Sequence, residues 1–173
     1  ADGRAWALVA HRPDAAEARA DALVGLAADA LGIGRFAAAQ RLLERAAVDT
    51  DNGGVPRQRV RLAWVSAELA NAENNLGVSL FNRRAGPEAA EHLLEALRIR
   101  EAIRPLDDLD LATSLNNVAT ERVARGDHQG ALPLLERAKV IVDRKPEAAK
   151  LRATVTQMLE SAKALARSKA EQK

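Results

Sequence analysis

The sequence predicts an all-α protein, and three observations lead to this fold class. Only 2% of the 173 residues are aromatic, whereas Ala, Leu, Arg and Glu are abundant, a mixture that favours helices over sheets. Glycines and prolines divide the chain into segments of helical length. One apolar pattern recurs along the chain, which indicates repeated helix pairs. With 47% hydrophobic residues, a chain of this length can build one domain with a continuous core.

Seven helices are predicted between these breakers. Their approximate spans are residues 14–31, 35–48, 57–84, 87–103, 109–125, 128–143 and 146–168. The third is unusually long because apolar residues continue at spacings of three or four, with no breaker, through residues 62–80. Residues that cap or begin helices well stand at several of the starts: Asp14, Pro87, Asp127 and Pro146.

The recurring pattern joins the two helices of each pair. It consists of a large apolar residue beside a small one, a turn glycine, and three apolar positions in the next helix. In the first pair these are Leu26, Ala27, Gly34, Ala39, Leu43 and Ala46. The third pair has identical spacings, at Val118, Ala119, Gly126, Ala131, Leu135 and Ala138. The second pair is predicted to have one extra residue in its turn and to continue as Leu76, Gly77, Ala90, Leu94 and Leu97. Small residues at such positions let helices cross closely.

This pattern resembles the tetratricopeptide repeat over about residues 20 to 145. Asn75 and Asn117 are 42 residues apart, longer than the family's usual 34, which resembles the kinesin-light-chain-type subclass. The resemblance implies a right-handed α-solenoid of three helix-turn-helix repeats over residues 14–145. An N-terminal segment, residues 1–13, would precede the repeats. Residues 146–173 would form a capping helix and tail, with an apolar stripe at Leu151, Val155, Met158, Leu159, Ala162 and Leu165.

The resemblance also implies that the first helix of each pair lines a concave groove. Residues at spacings of four, three and four share one face of a helix, and two such faces are polar and nearly uncharged. The first face holds Asn71, Asn75, Val78 and Asn82, and the second holds Thr113, Asn117, Thr120 and Ala124. An asparagine amide donates and accepts at once, which suits it to hold the backbone of an extended peptide.

We therefore predict a peptide groove with Asn75 and Asn117 as clamps. The alternative is that these asparagines bond between neighbouring helices and face no ligand. Continuing the first face backwards leads to Trp64 and Arg61, two residue types that often anchor ligands. For Trp64 the preferred expectation is nevertheless that it packs against the first pair or the segment around Trp6.

Other function classes find no support in the residues. The three histidines lie in different elements without ligand spacing, and no catalytic or phosphate-binding motif occurs, so neither an enzyme nor a cofactor is predicted. Twenty-six Lys and Arg balance 24 Asp and Glu, which argues against a nucleic-acid partner. No apolar run reaches the length of a membrane span.

The sequence therefore predicts a protein- or peptide-binding scaffold module within a larger regulatory or assembly protein. A structural spacer or self-associating homo-oligomer is the alternative, with the groove filled by residues 1–13 or by another copy. Every basic residue before Lys139 except the histidines is arginine, which suggests a GC-rich bacterial genome. A cytoplasmic location is expected, and a mature exported form stays open because the sequence begins at Ala1.

Overall fold

The computed structural model describes residues 15–51, 56–103 and 109–171. These residues form seven α-helices, one 3₁₀ helix and no strand, which confirms the all-α repeat prediction. The helices are α1 (Ala15–Gly32), α2 (Phe36–Asp51), α3 (Pro56–Asn82), α4 (Gly86–Ala102), α5 (Leu109–Ala124), α6 (His128–Asp143) and α7 (Ala149–Glu171), and the 3₁₀ helix is Pro146–Ala148. The predicted segment 1–13, including Trp6, lies outside the described residues.

The long third helix is confirmed, because α3 runs unbroken from Pro56 to Asn82. The chain divides into two compact units, Ala1–Leu69 and Ala70–Lys173, with the boundary inside this helix. The division of the chain into three repeats and a cap stays a prediction.

The described part of the first unit is dominated by the packing of α1 on α2. Mostly small residues line the contact, which allows a close crossing. The buried apolar positions on α1 are Ala16, Ala20, Val24, Ala27 and Ala30, and those on α2 are Ala39, Leu43 and Ala46. An ion pair between Arg19 Nη2 and Asp49 Oδ1, at 3.2 Å, links the same two helices.

The second unit has a core shared by α4, α5, α6 and α7. Its larger cluster centres on leucines of α4 and α5 together with Ile141, Val142 and Val155. A smaller cluster joins α5 and α6 to α7 through Ala119, Ala131, Leu135, Leu159 and Ala162. Helix α7 therefore covers the third pair, as a closing helix should.

One residue of the α7 stripe was predicted wrongly. Leu165 is 44% exposed, and Ala166 is buried in its place at 6%. The buried stripe of α7 runs Val155, Leu159, Ala162 and Ala166, at spacings of four, three and four. Continuing this rhythm past Ala162 leads to residue 166, whereas Leu165 projects to the side of the stripe.

The turns inside the three helix pairs share one backbone conformation. Gly34, Arg84 and Gly126 all have a left-handed φ, at 73°, 63° and 81°. The residue after each of them donates its N–H to a carbonyl five residues earlier, as in Arg35 to Ala30 at 2.8 Å and Asp127 to Arg122 at 2.9 Å. This hydrogen bond ends a helix in the Schellman manner and usually requires glycine. In the second pair an arginine takes that place.

This equivalence shows that the predicted register of the second pair was wrong by one residue. From Gly77 to Arg84 is seven residues, as from Ala119 to Gly126, so the turn contains no extra residue. The buried positions that match Ala131, Leu135 and Ala138 are Ala89, Leu93 and Ala96. Leu94, predicted to be one of these positions, is instead 44% exposed. Leu93 and Leu94 are adjacent and equally apolar, but only Leu93 faces the core, so the repeat pattern was assigned to the wrong leucine.

Gly77 lies where α3 and α4 cross closely. A Cβ built on Gly77 would lie 2.7 Å from Leu93 Cγ and 3.0 Å from the Leu93 backbone nitrogen. The first distance is shorter than Cβ atoms show in proteins and the second is very tight, so a larger residue would require Leu93 to shift. The equivalent residues of the other pairs, Ala27 and Ala119, carry a methyl group at this place.

Candidate functional site: a polar face on α3 and α5

The predicted polar faces of α3 and α5 both lie in the second unit. On α3, Asn75 and Asn82 are exposed, and Asn71 is half-buried. Val78 is also half-buried, and it packs against the larger core cluster. On α5, Thr113, Asn117 and Thr120 are each half-buried, and Ala124 is exposed. The faces thus present amides and hydroxyls above an apolar floor.

Behind these faces, Arg100 of α4 ties three helices together. Its guanidinium donates to Asn71 Oδ1 on α3 at 2.6 Å, to the carbonyl of Asp110 on α5 at 2.7 Å, and to Ser114 Oγ. Arg100 is only 9% exposed, and Ser114 is fully buried. Burial strengthens these charge-assisted bonds, so the network fixes the spacing of α3 and α5.

The arginine also fixes which way the Asn71 amide points. A guanidinium can only donate hydrogen bonds, so the amide atom that faces it must be the oxygen. The Nδ2 hydrogens of Asn71 are consequently left to point away from Arg100. Asn71 therefore offers a donor to anything bound on this face.

Asn117 bonds across to the neighbouring first helix. Its Nδ2 donates to Asn74 Oδ1 on α3 at 2.9 Å. For this asparagine the predicted alternative, a bond between helices, is what the structure shows, and its partner is Asn74. The bond uses the amide nitrogen and leaves Asn117 Oδ1 as an acceptor. Asn75 stands one residue further on and is exposed.

The two threonines of α5 complete a row of acceptors. Thr113 Oγ1 donates to the Leu109 carbonyl at 2.9 Å, and Thr120 Oγ1 donates to the Asn116 carbonyl at 2.8 Å. Each hydroxyl proton is therefore already used within the helix. What remains on both hydroxyls is lone-pair capacity, so the α5 face accepts hydrogen bonds at three successive positions.

Helix α7 and the 3₁₀ helix before it form a further part of the candidate site, which the sequence analysis did not include. The family's usual spacing of 34 residues relates Thr113, Asn117 and Thr120 of α5 to Glu147, Leu151 and Thr154. Burial supports this correspondence, because the buried Ser114 and Glu121 of α5 then match the buried Ala148 and Val155. The spacing was visible in the sequence and would have identified these residues.

Between α5 and the start of α7 lies an open cavity of about 420 Å³. Residues of both helices and of the 3₁₀ helix line it: Leu109, Thr113, Glu147, Ala148, Lys150, Leu151 and Thr154. Thr113 belongs to both the polar face and this cavity. The cavity therefore continues the α5 face toward the C-terminal end of the unit.

Two predicted site residues belong to the first unit. Trp64 is 63% exposed, so the expectation that it packs against the first pair was wrong. The alternative, packing against the segment around Trp6, lies outside the described residues. The indole is available to solvent because its neighbours Val65 and Leu69 take the buried positions of this stretch of α3. Arg61 lies on α3 as well, and its side chain is not described. A ligand-binding role for either residue stays a prediction.

Among the described residues, no group of three or more His, Asp or Glu side chains is placed to hold a metal ion. None of the described helices is long and apolar enough to cross a membrane.

Taken with the repeated turn geometry, these features define the class of the protein as an α-helical repeat with a polar face on its first helices. Residues 68–139, which hold most of the second and third pairs, match the family model for the tetratricopeptide repeat. This match supports a tetratricopeptide repeat family, whose members generally mediate protein–protein interactions, and hence a binding scaffold. No curated protein matches the chain.

Proposed function

We propose that the polar face of α3 and α5 binds an extended peptide segment of a partner protein, mainly through the peptide backbone. The observation that carries this proposal is the fixed polarity of the face. Asn71 offers a donor on α3, whereas Thr113, Asn117 and Thr120 offer acceptors on α5. A peptide backbone presents C=O and N–H groups, which match this division.

Spacing along α5 supports an extended ligand. Thr113 and Asn117 are four residues apart, which is about 6 Å along a helix axis. In an extended chain, N–H groups on the same edge recur every second residue, about 6.6 Å apart. Two backbone N–H groups could therefore reach both acceptors together. A helical ligand would use its N–H groups internally and gain little from this row.

The lack of charge on the face supports backbone recognition over recognition of one particular acidic or basic motif. From Asn71 to Asn82 on α3, and from Thr113 to Ala124 on α5, the positions of the two faces are asparagine, threonine, valine or alanine. Neutral hydrogen bonds each contribute about 0.5–1.5 kcal/mol, so affinity would build up over several contacts. Asn75 and Asn82, both exposed, are the positions best placed to adjust to different ligands.

A displayed library of random extended peptides would test this proposal. Peptides selected on the wild-type protein are measured against Asn75→Ala and Asn71→Ala by calorimetry, and we expect each variant to bind several-fold more weakly. Gln129→Ala is the matched control because it removes an exposed amide from α6, outside the face. A selected peptide N-methylated at alternate backbone nitrogens should lose binding.

Three results would contradict the proposal. The first is selection of no peptide, and the second is unchanged affinity in both asparagine variants. The third is full binding of the N-methylated peptides on either edge, which would mean that backbone N–H groups are not read. Sedimentation at the same concentrations checks the alternative function, since a self-associating spacer would form dimers whose stability falls when this face is altered.

Several finer features stay proposals alongside this one. The 42-residue period between the second and third pairs favours the kinesin-light-chain-type subclass, although the repeat match itself is to the broader family. We also keep the sequence-based expectations of a bacterial origin, a cytoplasmic location and a non-catalytic role.

A further inference from the structure

The cavity between α5 and α7 differs chemically from the rest of the polar face. Its floor is apolar, with Leu109 and Leu151 half-buried and Ala148 buried. Its volume of about 420 Å³ is near the lower end of the range of about 300–1,000 Å³ that is usual for ligand pockets. A space of this size and openness suits one long side chain with an aliphatic stem.

The uncharged polar groups on its walls accept hydrogen bonds. Thr113 Oγ1 donates to the Leu109 carbonyl at 2.9 Å, and Thr154 Oγ1 donates to the Lys150 carbonyl at 3.1 Å. Both hydroxyl protons are therefore committed to the helices that carry them. Each hydroxyl oxygen keeps lone-pair capacity to accept a further hydrogen bond. A bound group should consequently be a hydrogen-bond donor.

Glu147 adds a negative charge to the same lining. Its carboxylate is exposed and forms no ion pair within the described part of the chain. By contrast, most acidic side chains nearby are paired, such as Asp143 with Lys139 at 2.7 Å. An unpaired carboxylate beside two acceptor hydroxyls favours a cation.

Among the described lining residues Lys150 is the one cation, and it opposes this preference. It is exposed, and its long stem lets the ammonium group stay in water away from the apolar floor. Glu147 has the shorter side chain, so its carboxylate can extend less far from the lining than the ammonium group of Lys150 can. Removing the charge of Glu147 and removing the charge of Lys150 should therefore change the affinity for a charged ligand in opposite directions.

We propose that this cavity binds the side chain of a lysine or arginine from the partner peptide, with the aliphatic stem on Leu109 and Leu151 and the charged end at Glu147. The inference rests on the proposed function, because Thr113 connects the cavity to the face that holds the peptide backbone. It goes beyond that function by giving a preferred residue type at one end of an otherwise permissive groove.

Blocked single amino acids test the cavity without the rest of a peptide. The full-length protein labelled with ¹⁵N is titrated with N-acetyl-arginine methylamide at low ionic strength, and with the corresponding citrulline, norleucine and glutamate derivatives. We expect saturable shifts of the Thr113, Leu151 and Thr154 amide signals with the arginine probe. The citrulline and norleucine probes should bind more weakly, and the glutamate probe should leave these signals unchanged.

Two variants give effects of opposite sign. Glu147→Gln should weaken the arginine probe by about two- to fivefold, the range expected for a solvent-exposed ion pair, and Lys150→Gln should strengthen it by a similar factor. Dispersed spectra and unchanged melting curves would show that both variants fold. A positional peptide array on the wild type should then favour Lys or Arg at one position of the peptides that bind.

The proposal is overturned if no probe gives a saturable shift up to its solubility limit. It is also overturned if the norleucine or glutamate probe matches the arginine probe, or if Glu147→Gln leaves arginine binding unchanged. These probes do not need the amides of α3. Failure here therefore leaves backbone binding to be judged by the Asn71 and Asn75 variants, whose failure would in turn leave the cavity result standing.

Discussion

The second and third helix pairs follow one register but use different residues at matching places. Where the third pair has Ala119 at its crossing and Gly126 in its turn, the second has Gly77 and Arg84. The second pair therefore crosses more closely and turns with more backbone strain. The comparison teaches that the helix-pair geometry is preserved while the residue that meets each demand changes from pair to pair.

The two pairs also differ in what covers them. The third pair packs under α7, through Leu159 and Ala162 in particular. The first helix of the second pair is instead bound to the third pair by polar contacts, with Asn74 and Asn117 joined directly and Arg100 bridging α3 to α5. An apolar cover and a polar seam thus both hold neighbouring helices against the third pair.

Removing the apolar cover should have the largest effect on stability. Truncation after Lys145 uncovers the residues beneath α7 and deletes buried Val155 and Leu159, each worth about 1.5–3 kcal/mol when fully buried. A domain of this size has a total stability of about 5–15 kcal/mol, so the shortened chain should aggregate or lose cooperative unfolding. Thermal melts with size-exclusion chromatography measure this. A monomer with an unchanged melt would show that α7 is not a cap.

The corrected register of the second pair can be tested at its leucine doublet. Leu93→Ala should cost about 2–5 kcal/mol of unfolding free energy, because this side chain is 2% exposed in the core. Leu94→Ala should cost less than about 1 kcal/mol, since its side chain is 44% exposed. Urea unfolding gives both values, and Leu135→Ala serves as the matched core variant in the third pair. Equal costs at 93 and 94 would restore the original register.

Larger side chains at the crossing of α3 with α4 and at the crossing of α5 with α6 should destabilise the protein. Gly77→Ala places a methyl group against Leu93, and Ala131→Leu enlarges a residue with no exposed surface. Each change should lower stability by about 1–3 kcal/mol. Gly86→Ala is the control for Gly77→Ala, because a Cβ at Gly86 meets nothing within 4 Å. An Ala131→Leu variant that melts with the wild type would mean that the crossing is not tight.

The smallest effect is expected at the turns, and it differs in sign between the pairs. Arg84→Gly should stabilise the protein by about 0.5–1 kcal/mol, because a left-handed φ of 63° costs an L-residue more than glycine loses in chain entropy. Gly126→Ala should destabilise it by about 1 kcal/mol for the same reason. Chemical denaturation resolves both. Destabilisation by Arg84→Gly would show that the arginine side chain makes a contact worth more than the strain.

Helix positions were predictable from the sequence because breakers and apolar periodicity act locally. The register of the second pair was not, since two adjacent leucines look alike and the expected turn glycine is replaced by Arg84. Leu165 failed for a similar reason, as its neighbour Ala166 is equally apolar and lies on the buried stripe. Neither choice can be made without knowing which side of the helix its partner occupies.

For the candidate site, the sequence predicted the faces but not the bonds behind them. Spacing alone placed Asn71 and Asn117 on the faces of α3 and α5. It could not show that Arg100, 29 residues beyond Asn71, would orient its amide, or that Asn74 would take the Asn117 nitrogen. Such pairings depend on tertiary contacts between helices that are distant in the chain. The site residues of α7, in contrast, could have been predicted from the repeat spacing.

The glycine at the α3–α4 crossing favours the pairing of α4 with α3. If α4 packed on α5 with the geometry it adopts on α3, the methyl group of Ala119 would fall where a Cβ comes within 2.7 Å of Leu93. That arrangement is sterically disfavoured, although the two first helices carry similar apolar patterns. A chain of similar helix pairs can pair the wrong helices during folding. Here the absence of a methyl group at Gly77 favours the pairing of α4 with α3 over its pairing with α5.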